Sequence, residues 1–117
     1  MSDCLICRIV RGEIPASIIY EDAEIMAFKD ISPRAPVHIL IIPKKHLSGL
    51  YEMGEDDISL IGRINLIAKQ IADEQGIGES GYRLVANSLA DSGQEVPHLH
   101  YHLIGGCFLG PFCLTEN

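Results

Sequence analysis

Basic charge is scarce in this sequence. Its 117 residues hold nine Lys and Arg against sixteen Asp and Glu, a formal net charge of -7, and the cations nowhere gather into a stripe. That balance excludes nucleic-acid binding by electrostatics, which draws on clustered Lys and Arg. Long apolar runs are missing too. None approaches the roughly 20 residues of a membrane-spanning helix, so no membrane partner is expected. The opening stretch MSDCLICRIVRGEIP is charged throughout and lacks an apolar centre, unlike a secretory signal. The chain therefore reads as cytoplasmic, and its four cysteines as thiols or metal ligands rather than disulfides. Repeats and low-complexity tracts are absent, and the length suits one domain, residues 1–117, with a buried core.

What is present is a series of short β-type segments interrupted by one long amphipathic helix. Residues 4–10 read as a short helix, with Asp3 as its N-cap, Leu5, Ile6, Ile9 and Val10 as its apolar stripe, and Gly12 and Pro15 as its stop. Ser17–Tyr20 and Ile25–Phe28 read as a hairpin around an acidic turn. Asp30 follows, at the edge of a loop broken by Pro33 and Pro36. There it is either a turn former or an acceptor for a ligand's hydroxyls. Val37–Ile42 is continuously apolar, as a central strand buried on both faces should be; His38 within it reads as structural. His46 lies just past that strand, in a position shared by exposed loop histidines and functional ones. Glu55–Gln75 carries Ile58, Ile61, Ile64, Ile67 or Ala68, and Ile71 at helical spacing. Tyr82–Asn87 is a fourth strand. Strands with short connections and one long helix imply an α+β fold, an antiparallel sheet backed by a helix.

The informative stretch is Asn87–Gly106, NSLADSGQEVPHLHYHLIGG. His98, His100 and His102 alternate with Leu99 and Tyr101. As a fifth strand, this period of two sets three imidazoles on one face. Three alternating histidines admit a transition-metal site, a polar face, or a catalytic row in which one neutral imidazole attacks an electrophile. The loop before them favours the catalytic row. Gly93 and Gln94 offer backbone or amide donors for phosphate oxygens, which a plain metal strand does not need. Cys4-x-x-Cys7 is by its spacing alone either a pair of small apolar side chains or half of a zinc site.

The segment His98-Leu99-His100-Tyr101-His102-Leu103-Ile104 resembles the signature of the histidine triad (HIT) family. CLICRIVRGEIPASIIYED, AFKDISPRAPVHILIIPKKH, GYRLVAN and SGQEVPHLHYHLIGG resemble its Hint branch, the purine nucleoside phosphoramidases, over nearly all the chain to Gly106. The resemblance implies a five-stranded antiparallel sheet with one long and one short N-terminal helix. It also implies a homodimer whose sheet runs across both protomers, with Tyr82–Asn87 and Glu55–Gln75 as candidate interface. His100 takes the place of the nucleophile, attacking an α-phosphorus to form a nucleotidyl-histidine that water hydrolyses. A neighbouring imidazolium or the nucleophile's own proton serves the leaving amine. His102, Asn87 and the Gly93-Gln94 loop contact phosphate. Asp30 binds ribose hydroxyls, and Leu5, Ile9, Phe28 and Ile31 form the slot for the base.

The same resemblance completes the zinc set: Cys4, Cys7, His46 and His98, a closed Cys2His2 site that removes His98 from acid–base work. Two departures stand out. Glu95 occupies a position that is serine in some relatives, where a carboxylate orients water or amine, or repels phosphate. The tail 107–117 diverges and has no tryptophan; Cys107 and Cys113 read as small hydrophobes. The expected function is hydrolysis of purine nucleoside phosphoramidates or aminoacyl-adenylates. The alternatives are dinucleoside polyphosphate hydrolysis, against which Gly105-Gly106 argues, nucleotidyl transfer, against which the intact His102 argues, and a non-catalytic purine-nucleotide-binding regulator.

Overall fold

The computed structural model describes residues 4–111. In chain order the elements are α1 (Leu5–Val10), β1 (Ile18–Glu21), β2 (Ile25–Lys29), β3 (Val37–Pro43), α2 (Ile58–Glu74), β4 (Tyr82–Ala86) and β5 (Tyr101–Gly105). The strands form one fully antiparallel sheet in the order β1-β2-β3-β5-β4. This is the expected α+β arrangement: five strands, one long helix and one short one.

Alternation along β2 and β3 explains how the sheet carries a helix on each face. Ile25, Ala27, Ile39 and Ile41 point to one side and pack with Leu60, Ile64, Ile67, Ala68, Ile71 and Leu103. Met26, Phe28 and Ile42 point to the other and pack with Cys4 and Ile6, joined by Ile9, Val10, Leu40 and Val96. The continuous apolar run of β3 is thus the signature of a strand with α2 below and α1 above. Each large side chain in the α2 layer contributes about 1.5–3 kcal/mol by leaving water. Surface ion pairs such as Lys69–Asp73, with both side chains largely exposed, add little by comparison.

Three element boundaries differ from the sequence reading. Cys4, not Asp3, caps α1, its Sγ accepting from the Cys7 N–H at 3.3 Å; Asp3 lies outside the described residues. Residues 55–57 form a separate 3-10 turn rather than the start of α2. There Asp57 turns back to accept from the Gly54 N–H at 2.9 Å and binds Lys45 Nζ at 2.6 Å, which ends the turn and starts the helix. The buried face of α2 is consequently Leu60, Ile64, Ile67, Ala68, Ile71 and Ala72, while Ile58 is 67% exposed.

The third difference bears on the site. β5 begins only at Tyr101, so His98 and His100 precede the strand. Pro97 has no N–H to give a ladder, the His98 N–H folds back to Val96 O, and the Leu99 N–H bonds Leu47 O at 2.6 Å. The chain here is fastened to the segment after β3 instead of to a neighbouring strand. Beyond β5, Gly106 adopts φ +91° and a Cβ on it would sit 2.9 Å from Pro36, so glycine is required there on two counts. The start of the tail lies against β4, where Arg83 donates to Gly110 O at 2.6 Å. Cys107 and Phe108 are exposed, so Cys107 is not the buried small hydrophobe expected of it. Cys113 lies outside the described residues.

Candidate active site

The triad histidines lie on the α1 side of the sheet, His98 against Cys4 and Cys7 and His102 opposite Leu40 with His100 beside it, but they differ in depth. His98 turns inward and is fully buried. Its Nε2 faces the Pro43 carbonyl at 2.8 Å. A carbonyl only accepts, so Nε2 carries the proton and Nδ1 keeps a lone pair. That Nδ1 lies 3.3 Å from Cys4 Sγ, 3.5 Å from Cys7 Sγ and 3.1 Å from His46 Nδ1, with Cys7 Sγ 3.3 Å from His46 Nδ1. Four lone-pair donors from α1, the segment after β3 and the segment before β5 thus converge, all within 4.8 Å of one another. A tetrahedron with metal–nitrogen distances near 2.0 Å and metal–sulfur near 2.3 Å has edges of roughly 3.3–3.8 Å, so the arrangement fits a small cation. Burial and the neighbouring Cys4 thiol push the Cys7 thiol above its ordinary range, a cost that a bound cation offsets.

His100 stays at the surface side. Its Nδ1 faces the backbone carbonyl of His98 at 2.7 Å. The proton therefore sits on Nδ1, and Nε2 presents a free lone pair. His102 is adjacent, the two rings 5.0 Å apart edge to face. Its Nδ1 lies 3.0 Å from His38 Nε2. The direction of that bond follows from the far side of His38, whose Nδ1 accepts from the Arg34 N–H at 3.0 Å. His38 then donates from Nε2 to His102 Nδ1, and His102 carries its own proton on Nε2. Burial pushes the His102 imidazole down to about 4, helped by His100 and His38, and burial also lowers His38. Both are neutral at pH 7. Asp30, His38 and His102 also cluster closely enough to suggest a second cation site. The relay argues against one, since His38 Nε2 is a donor.

His38 is legible in the sequence as part of a strand, but its partner is not. In the antiparallel register His38 pairs with Ile104 and Leu40 with His102. The two histidines therefore lie two residues apart on the same face of β3 and β5, a neighbourhood that appears only once the register is known.

The loop before His98 is built differently from expectation. The sequence offers Gln94 as a donor to phosphate. Its side-chain N–H groups instead go to Ser48 O at 2.7 Å and Val96 O at 3.1 Å, and its Oε1 accepts from the Leu89 N–H at 2.8 Å. The Gly93 N–H is engaged by Ala90 O, with Gly93 itself at φ +86°. The side chain of Gln94 thus closes the loop on the 46–50 segment. A feature not foreseen is Leu89, at φ 68° and ψ -171°, a region otherwise reserved for glycine.

The family profile for the HIT domain matches residues 11–108. The chain belongs to the HIT family. The purine nucleoside phosphoramidase of Escherichia coli K12 is 44% identical to it over 109 residues, 93% of this chain and 92% of that one. Among solved structures, a HIT family hydrolase of Clostridium thermocellum superposes with a TM-score of 0.92 at 45% identity, covering 95% of this chain and 96% of its own. One from Legionella pneumophila Philadelphia 1 does so with 0.89 at 49% identity, covering 91% and 95%.

Of the other residues expected in this HIT protein's site, Phe28 is buried with Ile9 packed against the same cluster, while Leu5 is 47% and Ile31 96% exposed. Asp30 accepts from the Ser32 N–H at 2.7 Å and lies 3.5 Å from His38 Nε2. It is a turn former with one oxygen still directed to the histidines. Asn87 stands one residue beyond the Ala86–Tyr101 pair, level with His100. Glu95 is exposed beside Gln94.

Proposed function

We propose that this HIT-family hydrolase cleaves the P–N bond of purine nucleoside phosphoramidates, or the acyl-phosphate bond of aminoacyl-adenylates, through a nucleotidyl-histidine on His100. The observation that carries the reading is the 2.7 Å bond from His100 Nδ1 to His98 O, which leaves Nε2 as an uncharged nucleophile. Nε2 attacks the α-phosphorus, the P–N bond breaks, and the departing nitrogen takes up a proton from solvent. Water then attacks the same phosphorus and releases the nucleoside monophosphate and His100. His102, neutral because burial holds it near 4, donates Nε2–H to a non-bridging phosphate oxygen; it does not serve as an imidazolium acid at neutral pH. Asn87 adds a second donor, and the loop through Gly93 and Gln94 shapes the space for phosphate. Asp30 receives a ribose hydroxyl, and Leu5, Ile9, Phe28 and Ile31 flank the base. Glu95, exposed next to that loop, is available to orient water or the leaving amine.

Cys4, Cys7, His46 and His98 hold zinc in this reading. The donor set is two thiolates and two imidazoles, all four positions filled by protein, so zinc supplies no reactive coordination site and acts as a clamp between α1 and the catalytic segment. The thiols are retained in a reducing compartment such as the cytoplasm.

Turnover of a fluorogenic adenosine phosphoramidate tests the function. The wild type should release AMP with multiple turnovers, and His100→Ala should be slower by at least about a thousandfold. Equal rates for the two proteins sink the catalytic reading and leave a nucleotide binder.

A further inference from the structure

The four-residue cluster and the nucleophile are joined through a single residue, His98. His98 gives its side chain to the cluster and its backbone carbonyl to His100 Nδ1 at 2.7 Å. His46 lies with Nε2 3.3 Å from Ser48 Oγ, and the Ser48 carbonyl accepts from Gln94, which closes the loop beside the triad. Both halves of the site thus hang on the same four donors, and two of those donors are thiols on a single helical turn. Cys4 is buried while Cys7 is partly open to solvent.

From this juxtaposition we propose that Cys4 and Cys7 form a peroxide-sensitive element that sets the orientation of His100. The proposal rests on zinc occupancy as inferred above. In the first step the Cys7 thiolate attacks an oxygen of hydrogen peroxide. An S–O bond forms, the O–O bond breaks, and the hydroxide released is protonated to water. In the second step the Cys4 thiolate attacks the Cys7 sulfur. The S–S bond forms, the S–O bond breaks, and a second water leaves. Two electrons pass from the two sulfurs to peroxide, two protons come from solvent, and zinc departs as the aquated dication with only two imidazoles left to hold it. Cys4 is the N-cap of α1 in extended backbone and Cys7 lies in its first turn, with Cys4 Sγ already 3.3 Å from the Cys7 N–H. The disulfide takes up both thiolates and draws the two sulfurs toward each other, out of their positions around His98 Nδ1 and His46 Nδ1. The buried His98 Nδ1 then faces His46 Nδ1 with no cation between them. Without its sulfur neighbours the His98 ring resettles in a hydrogen bond from His46, and the His98 carbonyl that fixes the His100 tautomer moves with it.

The test uses the full-length, zinc-loaded chain carrying C107S and C113S, so that Cys4 and Cys7 are the only thiols left of four. Hydrogen peroxide is titrated in. The readouts are zinc release to a chromogenic chelator, thiol count, intact mass, the nitrogen resonances of His100 in histidine-labelled protein, and turnover. The proposal expects one zinc released and two thiols lost per chain, together with loss of the single Nδ1–H form of His100. Turnover should fall roughly 10–100-fold, chiefly in kcat, and dithiothreitol with zinc should restore it. Thiol oxidation and zinc loss with the His100 resonances unchanged overturns the proposal. So does retention of zinc and both thiols at peroxide levels that oxidise Cys107 in the wild type. A chain with no turnover before oxidation defeats the assigned reaction instead, and the His100 resonances still decide the switch.

Discussion

At the scale of single residues, the site is governed by which nitrogen of each imidazole meets a carbonyl and which meets an N–H. His98 and His100 each give a proton to a carbonyl, and His38 takes one from the Arg34 N–H. Those three contacts fix the remaining nitrogens. The relay has a measurable cost in acid. His38 and His102 bind protons more weakly when folded than their ordinary value near 6.5. Between that value and about 4 the unfolded chain holds more protons, so stability rises with pH across this window and is lost on acidification. Urea midpoints should be lower at pH 5 than at pH 7.5, and His102→Gln, which has no proton to gain, should show a shallower decline. An identical slope in the variant would refute the assignment to His102. Leu89 is the other residue-scale case. Its backbone occupies a glycine region at a cost of order 1–3 kcal/mol, and its side chain is 54% exposed, so little is lost by removing it. Leu89→Gly should raise the thermal midpoint by a few degrees with catalysis kept, measured by calorimetry and AMP release.

At the scale of elements, what the sequence disclosed and what it hid divide along a physical line. Patterns with a fixed period were readable. The unbroken apolar run of Val37–Ile42 marked the strand that α1 and α2 both cover. The spacing of Ile64, Ile67 and Ile71 marked α2, although Leu60 replaced Ile58 because Asp57 ends a separate turn before the helix. Alternation at His98–His102 fits one strand, yet Pro97 and the Leu99–Leu47 bond keep the first half out of the sheet. The donors of Gly93 and Gln94 are visible in sequence as groups but not as engaged groups, since Ala90, Ser48 and Val96 meet them only in the folded loop. α1 shows the same division. Its six residues are too few to be stable alone, and only Ile6 among them is fully buried. The Cys4, Cys7, His46 and His98 cluster supplies what its length does not. Metal analysis should return one zinc per chain. Chelation should lower the thermal midpoint and speed proteolysis near Arg8 and Arg11, ahead of the sheet. A chain that carries no zinc, or whose α1 is equally protected without it, counts against the clamp.

At the scale of the whole molecule, β4 is an edge strand, and its open backbone groups invite a further strand. It is neither short nor blocked by proline, and Tyr82 on it is 39% exposed. α2 adds a second surface of the same kind. Ile58, Gly62 and Leu66 lie four apart on the side turned from the sheet, with Ile58 67% and Leu66 55% exposed and open space around Gly62. An apolar stripe with a glycine at its centre permits close approach of another backbone. Both surfaces are satisfied together if two copies meet about a two-fold axis, β4 against β4, in one sheet spanning both protomers. Sedimentation at micromolar concentration should then give a dimer. Leu66→Arg, which changes nothing in either core, should shift it to monomer with far-ultraviolet dichroism unaltered. If the wild type sediments as a monomer, the edge of β4 is covered by something other than a second copy. If Leu66→Arg remains a dimer, β4 pairs without the help of α2.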